Sequence, residues 1–134
     1  MFKVGDRYAE KFSFTQEQVI RFAELTGDKN PIHLDPEYAA TTPFKKNIIH
    51  GAFSASIFSK ILGMKFPGKG TIYLKQEISF KRPMYVDCEY EAILTILELN
   101  PENHTALIET IINDAATQKR TVEGRATVMH KELI

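Results

Sequence analysis

Residues 50–66 read "HGAFSASIFSKILGMKF", and Lys60 is the only charge from Ala52 to Met64. At about 3.6 residues per turn, Ala52, Phe53, Ala55, Ile57, Phe58, Ile61, Leu62 and Met64 cover nearly every direction of a helical wheel. A helix that is apolar on most of its circumference has to be surrounded by protein. The rest of the chain must therefore provide a layer that wraps it.

Strands supply that layer. "TIYLKQEISF" (71–80) alternates Ile72, Leu74, Ile78 and Phe80 against Tyr73, Lys75, Glu77 and Ser79. "CEYEAILTILEL" (88–99) is long and apolar, "NPEN" (100–103) is a turn, and "HTALIETIIND" (104–114) and "RTVEGRATVMH" (120–130) complete the series. Ahead of the apolar helix, "RYAEKFSF" (7–14) alternates loosely, with Tyr8, Phe12 and Phe14 on one side. A first helix is expected from "TQEQVIRFAELTG" (15–27): Thr15 and Gln18 fit a capping box, and Gly27 is a natural left-handed stop. Its buried side is read as Val19, Ile20, Phe22, Ala23 and Leu25. "DPEYAATTPF" (35–44) reads as a short helical turn and a connection.

This order predicts an α+β domain over residues 1–134, an antiparallel sheet wrapped around a central buried helix. That is the layout of a hot-dog fold, although a sandwich with another strand order shares the pattern. Long strands leave edges to cover, so pairing with a second copy is expected.

Composition narrows the function classes. Seventeen basic residues balance seventeen acidic ones in 134 residues, so no overall field favours nucleic acid or an anionic membrane. No segment approaches the ~20 apolar residues of a membrane span. "MFKVGDRYAEKFSF" (1–14) carries charges where a signal peptide needs an apolar run, and the single cysteine, Cys88, can form no internal disulfide; the expected compartment is the cytosol. Cys88 lies in an alternating pattern and is read as a core thiol.

The densest chemistry lies in "TGDKNPIHLD" (26–35). Gly27 ends a helix abruptly, Pro31 stiffens the backbone, and the Asn30 amide can hold the turn closed. A stiff loop can aim Asp28 and His33 at one point, where a carboxylate and an imidazole can share a water. Turn geometry and a hydrogen-bonded histidine alone explain the same residues. His50 and Gly51 stand where the apolar helix begins, and helix N-termini leave amides unpaired with partial positive charge. Gly51 has no side chain to block approach, so its N–H can receive a carbonyl oxygen that becomes negative during reaction; close packing of the helix start is the competing explanation.

"LTGDKNPIHLDPEYAATTPF" (25–44), "IIHGAFSASIFSKILG" (48–63) and "PGKGTIYLKQEISFKRPMYVDCEYEA" (67–92) together resemble the MaoC-like (R)-specific enoyl-CoA hydratases, from about residue 5 to residue 130. The resemblance implies a hot-dog homodimer that reversibly hydrates trans-2-enoyl-CoA to (R)-3-hydroxyacyl-CoA, with coenzyme A thioester as substrate and no metal or redox cofactor. It puts the catalytic pair on Asp28 and His33 and the thioester-carbonyl donor on the Gly51 amide. Asn30 matches the loop-shaping asparagine. Ser59 matches a position near the active site, although a serine there is also read as a packing residue bonded to a backbone carbonyl. Phe53, Ile57, Phe58 and Tyr73 are candidates to line an acyl pocket. Lys69, with Lys45, Lys46, Lys75, Lys81 and Arg82, is a candidate for the nucleotide phosphates. The rivals are an acyl-CoA thioesterase, a non-catalytic acyl-CoA or acyl-carrier binding module, and a metal site of Asp28, His33 and His50. A thioesterase of this fold is expected to carry a carboxylate on or near the central helix, and residues 52–64 contain none, which counts against it.

Overall fold

A computed structural model describes residues 1–134. The chain runs β1 (Arg7–Phe12), α1 (Gln16–Thr26), α2 (Pro31–Leu34), α3 (Pro36–Ala40), α4 (Gly51–Met64), β2 (Ile72–Phe80), β3 (Tyr90–Asn100), β4 (Thr105–Asp114) and β5 (Arg120–Met129). The strands form one sheet in the order β1-β3-β4-β5-β2, with every pair antiparallel. This is the expected hot-dog fold.

The core follows from side-chain alternation. On β3, β4 and β5 the even-numbered positions turn to one face, and the register sets them opposite each other: Ala92 on Ile112, Ile96 on Ile108, Ile112 on Val122 and Ile108 on Ala126. Ile57, Phe58, Ile61 and Leu62 of α4 close on that face, and together these side chains form one buried cluster. A one-residue slip of any of these strands would turn its apolar set outward, so burial fixes the register.

Four readings of the sequence need correction. On α1, Val19 and Ala23 are buried, but Ile20 is 42% exposed and Leu25 87%. The buried stripe is the narrow i, i+4 track with Phe22 beside it, and Ile20 and Leu25 lie off it. The central helix is wrapped on one side only: Ala52, Ser56, Ser59 and Met64 are exposed within this chain. The alternation of β2 does not bury Ile72, Leu74 and Phe80, because β2 is an edge strand and its register shifts between Tyr73 and Lys75. Cys88 lies two residues before β3 rather than within it, half-buried against the core.

The capping box of α1 is present as read. Thr15 Oγ1 accepts from the Gln18 amide, Gln18 Oε1 accepts from the Thr15 amide, and Gly27 ends the helix at φ +83°. On β5, Gly124 lets β2 approach closely. A Cβ there would lie 2.0 Å from the Glu77 carbonyl oxygen, and the Gln76 side chain crosses this point to donate to Thr110 Oγ1 on β4. Backbone cannot give way as a side chain can. Gly124→Ala is expected to cost about 1–3 kcal/mol, more than the ~1 kcal/mol expected for Thr15→Ala. Urea unfolding of both variants measures the order, and equal or reversed losses would contradict it.

Candidate active site

The loop between α1 and α2 is built by side chains that satisfy its own backbone. Thr26 Oγ1 donates to the Phe22 carbonyl and accepts from the Asp28 amide. Asp28 Oδ1 accepts from the Asn30 amide, and Asn30 Oδ1 caps α2 by accepting from the Ile32 amide. Pro31 occupies the first position of α2, where a missing N–H costs nothing. Asp35 caps α3 in the same way through the Glu37 and Tyr38 amides. From across the loop, Asn47 Nδ2 donates to the Ile32 and Asp35 carbonyls and locks the α2–α3 corner. The sequence reading took "TGDKNPIHLD" (26–35) as a stiff loop with no helix in it. The short helix α2 is what turns His33 inward.

His33 and His50 are both buried, and their rings stack with centroids 3.8 Å apart and planes 28° from parallel. Each is tied to a backbone carbonyl. His33 Nδ1 donates to Ile48 O at 2.7 Å, and His50 Nε2 donates to Asp28 O at 2.9 Å. A carbonyl oxygen only accepts, so each of these nitrogens carries the proton, and His33 Nε2 is left facing away from its anchor. Behind His50 runs an aromatic row: Phe22 at 4.8 Å, then Phe53, then Phe14. Burial holds the His33 imidazole below its ordinary pKa. The Ile48 hydrogen bond opposes that shift, neighbouring His50 adds to it, and the Asp28 charge opposes it.

The Asp28 carboxylate and one ring nitrogen of each histidine lie within 4.8 Å of one another. Two hydrogen bonds of about 2.8 Å meeting at a water's tetrahedral angle span about 4.6 Å, so one water fits between two such groups. The same three residues have the composition of a metal site. However, a metal about 2.0–2.1 Å from two imidazole nitrogens needs their in-plane lone pairs to converge, and nearly parallel stacked rings direct them side by side.

Beside the pair, α4 begins without a side-chain cap, and the Gly51 amide makes no backbone hydrogen bond. Gly51 also packs closely: a Cβ there would lie 2.9 Å from two ring carbons of Phe80. Both readings of this glycine therefore have a structural basis. A cleft of about 500 Å³ opens at this point, lined by Gly51, Ser54, Phe80, Lys81, Arg82 and Met84 among others.

The remaining expected site residues divide. Asn30 shapes the loop as read. Lys81 and Arg82 line the cleft, whereas Lys69 is exposed beside a separate hollow with Gly70 and His130. Lys46 sits over the Tyr85 ring. Phe53 stacks between Phe14 and Phe22 outside the cleft lining. Ser59 is exposed two turns along α4 and makes no bond to a backbone carbonyl; that bond belongs to Ser56, which donates to Phe53 O. Sequence reasoning placed His50 at the helix start and grouped it with Asp28 and His33 as a possible metal site, but its stack on His33 was not read. Sequence carries a partial signal for it, since both residues lie in the segment that joins α1 to α4, but stacking depends on two ring torsions.

Comparison with known proteins agrees with this architecture. Residues 4–122 match the model of the MaoC like domain. An (R)-specific enoyl-CoA hydratase of Aeromonas caviae is 43% identical over 110 residues, 82% of each chain. Another, from Rhodospirillum rubrum, is 38% identical over 127 residues, covering 95% of this chain and 87% of the relative. The solved structure of an A. caviae (R)-hydratase involved in PHA biosynthesis superimposes with a TM-score of 0.92 at 40% identity, covering 96% of this chain and 97% of that one. The fold, with its loop–helix site, defines a hot-dog architecture. This chain belongs to the MaoC-like domain family.

The buried imidazole has a consequence for stability. Folding lowers the His33 pKa from its ordinary 6.5, so below that pH the unfolded chain binds more protons than the folded one. Stability from this group is complete above about pH 6.5 and falls as the pH drops, until His33 protonates in the folded state as well. Urea unfolding between pH 8 and pH 5 is expected to show this fall, and His33→Gln to show a shallower one. Identical pH slopes would contradict the assignment.

Proposed function

We propose that this chain is an (R)-specific enoyl-CoA hydratase, which adds water to trans-2-enoyl-CoA and, in reverse, dehydrates (R)-3-hydroxyacyl-CoA. The observation that carries the reading is the placement of Asp28 and His33 at a water-bridging distance beside the uncapped start of α4. The named activity of the two relatives described above supports the same class. As a hydro-lyase, the protein would make and break C–O and C–H bonds without net electron transfer, so the chemistry calls for no redox group, and the proposed reading gives the carbonyl to the Gly51 amide rather than to a metal.

In the proposed reaction the thioester carbonyl lies at the Gly51 amide. The hydroxide part of the water adds to C3, and electron density moves onto the thioester oxygen. The Gly51 N–H and the positive end of α4 stabilise that oxygen as it becomes negative. Asp28 and His33 hold the water; its proton passes through them to C2, on the side from which the hydroxide came. One water is consumed, and the pair ends in its starting protonation state. Because burial keeps His33 unprotonated near neutral pH, its Nε2 is suited to hold the water. The two groups form one coupled unit, with no fixed acid or base assigned.

The acyl-CoA thioester is the small-molecule partner in this reading. Lys81 and Arg82 in the cleft lining suit its phosphates, while Lys69 lines a different hollow. We also assign a homodimer. Its support is the exposed edge strand β2, with Ile72 55%, Leu74 50% and Phe80 54% exposed, and the open face of α4. No helix is long and apolar enough to cross a membrane. The free thiol of Cys88 fits a reducing compartment such as the cytosol.

Purified protein mixed with crotonyl-CoA is expected to bleach the conjugated enoyl absorbance and to yield a product oxidised by an (R)-specific but not an (S)-specific dehydrogenase. Asp28→Asn and His33→Ala are expected to lower turnover by at least ~100-fold while leaving folding intact. Release of free coenzyme A without hydration would indicate a thioesterase. Binding without turnover would indicate a non-catalytic module. Sedimentation at twice the chain mass is expected, and a monomer would overturn the dimer.

A further inference from the structure

His50 is an expensive residue to keep. It is 2% exposed, its Nδ1 is buried without a partner, and its other nitrogen is spent on a backbone carbonyl. Burying an unpaired polar atom is unfavourable, so plain packing is a poor account of an imidazole here. A phenyl ring would fill a similar space, and the row of Phe22, Phe53 and Phe14 behind it is already aromatic.

We infer that His50 is a positioning residue that sets the catalytic pair through two links, resting on the hydratase reading above. Its Nε2–H holds the Asp28 carbonyl and so fixes the backbone that carries the carboxylate. Its ring face holds the His33 ring, whose only other tether is the Nδ1 bond to Ile48. Phe22, from α1, backs the His50 ring. His50 thus connects the start of α4, which carries the Gly51 amide, to both groups that would grip the water. The distance between carbonyl donor and water is then set by one side chain. Asp28 is the charged group that meets the stacked pair, and no lysine or arginine is hydrogen-bonded to either ring.

Two variants separate the links. His50→Phe keeps an aromatic face and loses the donor; His50→Gln keeps an N–H for the Asp28 carbonyl and loses the ring. With crotonyl-CoA, His50→Phe is expected to lower kcat by about 10- to 100-fold with KM within about twofold, as misplacement of reacting groups does. His50→Gln is expected to retain more kcat than His50→Phe. Wild-type kcat in both variants, a loss confined to KM, or a kcat loss in His50→Gln as large as in His50→Phe would each overturn the inference.

A measurement on the wild-type protein covers variants that fail to fold and does not need turnover. Long-range ¹H–¹⁵N spectra are expected to show His50 protonated at Nε2 and His33 at Nδ1. His50 protonated only at Nδ1 would rule out its bond to Asp28 and overturn the inference. Absence of hydration by the wild type, with these tautomers present, would instead reject the hydratase reading.

Discussion

A helix laid against a sheet has to leave the amides of its first turn somewhere, and α4 leaves them without a side-chain cap. That end is partly positive and sits at the rim of the sheet, where β2 ends at Phe80 and the cleft opens. The loop after α1 is docked against it by the bond from His50 to the Asp28 carbonyl. The carboxylate and the imidazole come from one stretch of chain and the free amide from another, and this contact brings the two stretches together. The short helix α2 then exists to turn His33 toward that place, with Asn30 and Asn47 supplying the bonds its termini lack.

The exposed surfaces have a common physical origin. One chain wraps α4 on the face made by Ile57, Phe58, Ile61 and Leu62, and leaves the face of Ala52, Ser56 and Ser59 bare. The edge strand β2 leaves apolar side chains bare next to it. Small residues on a helix permit a close neighbour, and an unpaired strand edge offers ladder hydrogen bonds to one. In the proposed dimer both surfaces would be covered by the same partner.

Much of this was legible in the sequence, for reasons that differ by element. The α1 capping box could be read because it depends on residues three apart. Strands β3 to β5 could be read because they are central and bury every second residue. The alternation of Ile72, Leu74, Ile78 and Phe80 misled, because an edge strand with a register shift has no second neighbour to bury against. The apolar circumference of α4 was read as wrapping within one chain, although periodicity does not say which chain supplies the cover. At the site, Asp28, His33 and Gly51 stood out by residue type and spacing. The face-to-face stack of His33 on His50 did not, because it depends on two side-chain torsions set by Ile48 and Asp28 carbonyls. Lys69 was grouped with Lys81 and Arg82 by charge, and only the fold separates them.

The central claim is that Asp28 and His33 hold one water on one side of the double bond and that this water supplies both added groups. Hydration of crotonyl-CoA in deuterium oxide, with the relative configuration at C2 and C3 read by proton NMR, tests it most directly. The account predicts a single product with deuterium at C2 and hydroxyl at C3 added to the same face. Addition to opposite faces would require a proton donor across the substrate from Asp28 and His33, and would contradict it.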